Sequence, residues 1–220
     1  MDHQLPPWRR VLAVVAHPDD ESFALGAVLD AFVCAGARAH VLCLTHGEAS
    51  TLGAEVDDLG AVRADELEAA AEALGVSRTT LCAHPDGALA GVDPGRLRSD
   101  VANVLASWAP DGVLVFDPAA GVTGHADHAA ASLAALDAAR ESGVPVLGWA
   151  LPEAVAATLD EEFGASFVGY PEGELDLRVA VDRSRQRLAV QAHTTQAVPG
   201  SVLWRRLELL EDGEFLRRLA

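Results

Sequence analysis

The chain has 220 residues, 50% hydrophobic and 22% charged, the make-up of an ordinary globular protein with one sizeable core. Acidic residues outnumber basic ones 33 to 16, for a formal net charge of −17. No Lys/Arg cluster interrupts that acidity, so phosphate backbones and anionic membranes are repelled, and no nucleic-acid or membrane partner is expected.

Met1–Arg10 lacks the cationic-then-apolar order of a secretory leader, and no apolar run approaches the length of a membrane span. The first predicted strand, Val11–Val15, is five consecutive apolar residues, the pattern of a strand buried on both faces. It ends at about Ala16 and runs into His17-Pro18-Asp19-Asp20-Glu21. A helix is predicted from near Ser22 to Cys34, stopped by Gly36. A second strand, Ala39–Leu44, leads into Thr45-His46-Gly47-Glu48, and a helix from about Asp57 to Leu74 is closed by Gly75. The third strand, Thr79–Cys82, runs into His84-Pro85-Asp86-Gly87. After a helix around Pro94–Ser107, the fourth strand, Val113–Phe116, delivers Asp117 and a loop ending in Gly124-His125-Ala126-Asp127-His128. A helix over Ala129–Glu141 and a fifth strand over Val144–Trp149 follow. Beyond Pro152 the periodicity weakens to a short helix (Glu153–Glu162), a strand (Leu175–Val181) and helices from Arg183 and Trp204.

This alternation predicts an α/β fold, a Rossmann-like, doubly wound, mostly parallel sheet with helices on both faces. With no linker or repeat, one domain is expected over residues 1–220, a Rossmann-like core over 1–150 and a C-terminal extension or cap over 151–220. Cys34, Cys43 and Cys82 are odd in number, far apart and set among apolar residues. They read as buried free thiols of the core in a reducing compartment, so a cytoplasmic location is expected.

Four successive predicted strands end in carboxylates or imidazoles, and these loops hold five of the eight histidines. A parallel sheet gathers such loops on one rim, where open α/β folds bind ligands. Histidine and carboxylate donors with few thiols nearby suit zinc or another borderline divalent cation. Taken alone, Asp20 also reads as a helix N-cap in a solvated turn. The second cluster favours metal: His125 and His128, three apart at a helix start, can face one point, with Asp127 able to fix an imidazole tautomer.

Together, His17-Pro18-Asp19-Asp20-Glu21 and His125-Ala126-Asp127-His128 resemble the LmbE/PIG-L family of zinc-dependent de-N-acetylases. Further matches are Gly47-Glu48, Arg63-Ala64-Asp65-Glu66-Leu67, Pro85-Asp86-Gly87 and Ala192-His193-Thr194-Thr195-Gln196, with Ala126 standing where the family usually has Pro. The resemblance implies His17, Asp20 and His128 as metal ligands, a set of three that leaves a coordination position for water. It implies Asp19 as general base and His125 as oxyanion stabiliser or acid to the leaving amine, oriented by Asp127. Zinc is the expected cofactor, with iron (Fe2+) the alternative in the cell, and the expected substrate is a small N-acetylated, sugar-containing molecule. A homo-oligomer is compatible with the chain, but nothing in it selects one.

Arg63 and Glu66 project from an apolar helical stripe (Leu59, Val62, Leu67, Ala70, Leu74), either as an internal ion pair or as substrate contacts. The resemblance favours contact for Arg63. Glu48 is expected on the same rim, and Asp86 as an acceptor for a sugar hydroxyl. Glu21 is ranked as loop support, Asp117 as holding a ligand loop, and His193 as either packing or reaching the pocket. The rival reading is a non-catalytic ligand- or metal-binding protein on the same fold. No Gly-x-Gly-x-x-Gly turn follows the first strand, and the acidic loop there disfavours a bare dinucleotide.

Overall fold

A computed structural model describes all 220 residues. Its centre is β1 (Arg10–Val15), flanked in parallel by β2 (Arg38–Thr45) on one side and β4 (Gly112–Phe116) on the other. The sheet runs β3 (Arg78–His84), β2, β1, β4, β5 (Val146–Pro152), β8 (Gly213–Arg218), β7 (Leu177–Ala180). A two-residue strand, β6 (Gly169–Tyr170), pairs with the end of β5. Chain order reverses between β1 and β4, and the crevice beyond their carboxyl ends is where a doubly wound sheet has room for a ligand.

Alternation along β1 divides the interior into two cores. Val11, Ala13 and Val15 face one core with Leu25, Phe32, Leu67, Leu74 and Trp149. Leu12, Val14 and Ala16 face the other with Leu97, Val101, Leu105, Ala131, Ala135 and Ala139. The first core is covered by α2 (Gly26–Cys34), α3 (Leu59–Leu74), α6 (Glu153–Phe163) and α7 (Ser184–Ala192), and the second by α4 (Pro94–Trp108) and α5 (Ala126–Ser142). α8 (Val202–Leu210) closes the pocket side with Leu203 and Leu207. No helix is long and apolar enough to cross a membrane; all three cysteines are free, but only Cys43 is buried, Cys82 being half-buried and Cys34 exposed at the end of α2.

Two elements differ from expectation. The helix expected from Ser22 to Cys34 is broken into α1 (Asp20–Phe23) and α2 at Ala24–Leu25. Gly26 weakens helix propensity at the join, and Gln186 of α7 donates through Nε2 to Ser22 O (3.1 Å) and Phe23 O (3.4 Å), satisfying carbonyls the break leaves free. The helix from Trp204 stops at Leu210, and β8 follows it antiparallel to both β5 and β7. Its inward positions include Glu214, fully buried against Arg183, which hides the apolar alternation of a strand.

Candidate active site

The turn after β1 is closed by Asp20, whose Oδ2 accepts from the backbone N–H of Ala16 (3.2 Å) and His17 (3.0 Å). That fixes His17 and Asp20 beneath the first turn of α5, where His128 reaches them. Asp20 Oδ1 lies 3.0 Å from His128 Nε2, Asp20 Oδ2 3.5 Å from His17 Nδ1, and the two imidazole nitrogens 3.2 Å from each other. Donors bound tetrahedrally at zinc distances sit about 3.3 Å apart, close to each of these separations, which draw on both oxygens of Asp20. His125 also brings a nitrogen within 4.8 Å of His17 and His128. Its Nδ1, however, accepts the Asp127 backbone N–H (3.2 Å), so the tighter set is His17, Asp20 and His128.

The surroundings call for positive charge. Burial opposes ionisation of His17, but Asp127, Asp20 and Asp86 outweigh it and push its pKa up to about 12. Burial likewise opposes ionisation of Asp20, yet His128 and His17 hold its carboxyl well below the ordinary carboxylate range. His17 Nε2 faces Asp86 Oδ1 at 3.2 Å and Asp127 Oδ2 at 3.5 Å, neither aligned as a hydrogen bond. His128 is held from behind by Thr123, whose Oγ1 lies 2.7 Å from Nδ1. His128 thus has an oxygen partner on its far nitrogen, the arrangement that orients a histidine toward a cation, while the far nitrogen of His17 faces two carboxylates without a hydrogen bond. Thr123 was not singled out from the sequence, because a contact five residues away across a loop leaves no periodic signal.

Asp19 and Asp20, adjacent in sequence, point to different places. Asp19 has φ 141°, a conformation a non-glycine residue holds only under constraint. The constraint is visible: Arg63, buried on α3, donates to Asp19 Oδ2 (2.9 Å), Pro18 O (2.7 Å) and Gly47 O (2.6 Å). Burial raises the Asp19 carboxyl to about 6, with Arg63 pulling against the rise and Asp20 adding to it. Gly47, at φ +67°, lies against the Arg63 guanidinium, and a Cβ there would collide with it. Gly47→Ala is therefore expected to displace Arg63 and cut kcat at least about tenfold with bound metal unchanged, checked by kinetics beside metal analysis.

Behind Asp19 its backbone N–H donates to Glu21 Oε2 (2.9 Å), and Glu21 Oε1 pairs with His193 Nε2 (2.7 Å). Both side chains are 0% exposed, so His193 braces the loop and does not line the cavity. Burial opposes charge on His193, but Glu21 more than compensates and raises its pKa above the usual 6.5. A raised folded pKa means the pair stabilises fully below pH 6.5 and less as pH climbs through the folded value. His193→Ala strands the Glu21 charge and is expected to cost about 3 kcal/mol at pH 6 and less at pH 9, measured by denaturant unfolding. Glu66 is a clamp, accepting from Thr194 Oγ1, Thr195 N and Thr195 Oγ1 at 2.7–2.8 Å.

The remaining expected residues fall in two groups. His125 caps α5 from the cavity side, and because Nδ1 is an acceptor, the neutral ring carries its proton on Nε2. Burial, then the neighbouring His17 and His128, lower its pKa. The Asp127 carboxylate turns away from His125 and instead accepts from Leu89 N (3.0 Å) beside His17. Asp86 accepts from Ala49 N (2.8 Å), and its own N–H donates to Glu48 Oε1 (3.0 Å). Asp86 lines the cavity; Glu48 is exposed and lies in a separate surface groove with His46. Asp117 holds Tyr170 OH (2.6 Å) and Arg217 (2.8 Å) away from the centre.

The cavity has a volume of about 780 Å³ and joins His17, Asp19, Asp20, His125 and His128 to an apolar side formed by α8 and the loop at 164–167. An imidazole- and carboxylate-lined cavity at the switch point of a mostly parallel sheet is the binding crevice of a doubly wound α/β protein. Residues 12–139 match the PIG-L family, described as GlcNAc-PI de-N-acetylase, and the chain belongs to that family. A 1D-myo-inositol 2-acetamido-2-deoxy-alpha-D-glucopyranoside deacetylase of Kineococcus radiotolerans is 30% identical, over 86% of this chain and 69% of that protein. The zinc-inhibited form of the teicoplanin deacetylase Orf2 superposes with a TM-score of 0.68 and 25% identity, over 95% of this chain and 98% of that one. The N,N'-diacetylchitobiose deacetylase of Pyrococcus horikoshii shares the fold, with a TM-score of 0.71 and 21% identity over 96% of this chain and 84% of the other.

Proposed function

We propose that the protein is an intracellular, zinc-dependent N-deacetylase of a small N-acetylated, sugar-containing substrate, with iron(II) as the alternative metal. The observation that carries this reading is the His17–Asp20–His128 triangle, at 3.0–3.5 Å, beside an ionisable Asp19 and opposite a neutral His125. His17, Asp20 and His128 would hold the metal, which when bound supplies Lewis acidity that polarises a carbonyl and acidifies water. Asp19, its carboxyl fixed by Arg63, takes the proton from the attacking water. His125 presents its Nε2–H to the oxyanion as the tetrahedral centre forms, and the proton held on Asp19 passes to the departing amine. Asp127 and Asp86 orient His17 from its far nitrogen; Asp86 and Arg63 also border the space a sugar would fill. Glu48 contributes through the Asp86 loop. Acetate release from N-acetylglucosamine conjugates by the zinc-loaded protein tests the reading. Metal binding without release from any N-acetyl compound would favour a binding protein.

A further inference from the structure

The cavity has two arginines on its wall. Arg63 is committed to Asp19, Pro18 and Gly47. Arg206, on α8, is committed to nothing. It is 5% exposed and borders the cavity with Phe23, Phe116, Phe167 and Leu203. Its guanidinium stacks over Trp149, 4.9 Å from the ring centroid, and stacking uses the flat face while leaving the N–H edge free. Nε and Nη2, which share one edge of the fork, are buried without a hydrogen-bond partner.

Glu214 and Asp20 are the acids whose charge favours Arg206, yet neither bonds to it; Asp20 is engaged with His17 and His128, and Glu214 is fully used. Its Oε1 takes Arg183 Nη1 (2.5 Å) and its Oε2 takes Trp149 Nε1 (2.8 Å). Arg183 is thus the paired cation of this region, and Arg206 the surplus one. A chain with 33 acidic residues against 16 basic ones leaves this arginine unpaired at its cavity. A buried guanidinium with no hydrogen-bonded acid is unfavourable by itself and gains when an anion meets its free N–H edge. Burial accordingly depresses its pKa to about 10.

We propose that Arg206 forms an anion subsite of the cavity that takes a carboxylate of the substrate, turning its Nε/Nη2 edge outward to meet it while Phe23, Phe116, Phe167 and Leu203 pack the adjoining apolar part. The substrate class is then an acidic, partly apolar N-acyl compound. This deepens the deacetylase reading and rests on it for the word substrate, whereas the subsite itself is tested by binding alone. The matched donors of a side-on guanidinium suit the two oxygens of a carboxylate.

The test is isothermal titration of 3-phenylpropanoate and of its neutral amide into the zinc-loaded wild type, Arg206→Met and Arg206→Lys. Arg206→Met is expected to weaken the carboxylate about tenfold or more and to leave the amide within twofold, with Arg206→Lys between. Attraction of the carboxylate to the metal is common to all three proteins and cancels. Equal carboxylate affinity in wild type and Arg206→Met overturns the subsite. Should Arg206→Met fail to melt cooperatively, the Nε–H resonance of Arg206, assigned by its loss in Arg206→Lys, is followed in the wild type. A shift with carboxylate and none with amide supports the subsite, and no shift with either overturns it. N-acetylphenylalanine and N-succinylbenzylamine carry the carboxylate on the amine and acyl sides. Arg206-dependent binding of one supports the subsite and assigns the side; no Arg206 dependence with either counts against it. Failure to release acetate would overturn the hydrolase reading and leave these binding results standing.

Discussion

Asp19→Asn is expected to retain the metal and lose turnover by about 10²–10⁴-fold, the usual contribution of a positioned general base. The substitution is close to isosteric, and Asn still offers an oxygen to Arg63 Nη2, so the φ 141° turn keeps its restraint. What disappears is the ability to accept a proton. A base acts when deprotonated, so kcat/KM is present above its folded pKa and falls below it. Burial sets the Asp19 value at about 6, and a bound cation nearby lowers it further. The acidic limb of the pH profile is therefore expected at or below pH 6 in the wild type and absent in the residual activity of Asp19→Asn. The stability sign runs the other way. A folded pKa above the ordinary 3.8 means the native state holds the proton more tightly, so stability falls as pH rises from 3.8 to about 6 and the full cost of ionised Asp19 is present above that. At pH 8 the variant should melt no lower than wild type, which separates a lost base from a lost fold. Undiminished turnover would remove Asp19 from the mechanism.

His128→Ala is expected to abolish both metal and activity. The apparent free energy of a structural zinc site, roughly 10–16 kcal/mol over four donors, implies about 10²–10³-fold weaker binding for each ligand removed. Metal per chain, by mass spectrometry on protein purified without added zinc, should fall from about one to near zero. Thr123→Ala is the graded control, since it removes only the oxygen 2.7 Å behind His128. Loss of such a support typically weakens metal about 10–100-fold, so the variant should regain activity on adding zinc. Full metal occupancy in His128→Ala would transfer the ligand role to His125 or Asp86.

The fold class was legible because its signals are local. Val11–Val15 is apolar without interruption, the strands alternate with Ala-rich helices, and polar bursts mark the strand ends. The convergence of residues 17–20 with 125–128 follows from parallel topology, since β1 and β4 are neighbours and both point to one rim. Partnerships between side chains were less legible. Asp127 lies between His125 and His128 in sequence, yet its carboxylate turns to His17 and Leu89. His193 reads equally as packing or as reaching the pocket until its contact with Glu21, 172 residues away, is seen. Arg206 sits in the second turn of a helix rich in basic and apolar residues, and nothing in that segment says which cation lacks a partner. β8 carried one usable sign, the Asp212-Gly213 turn dipeptide, but its buried Glu214 reads as a surface residue.

The place of β8 has a consequence for how the molecule is made. β8 follows β5 and β7 in the chain, yet it sits inside the sheet, joining the two. β7 has no hydrogen-bonded neighbour on the β5 side until residues 213–218 arrive. The N-terminal part, including all of residues 17–128, can therefore collapse during synthesis while the β5 edge stays open. A chain stopped before Gly213 would leave β7 held only by its bridge to Asp2, strip Arg183 of Glu214 and expose the β5 edge to pairing with other chains.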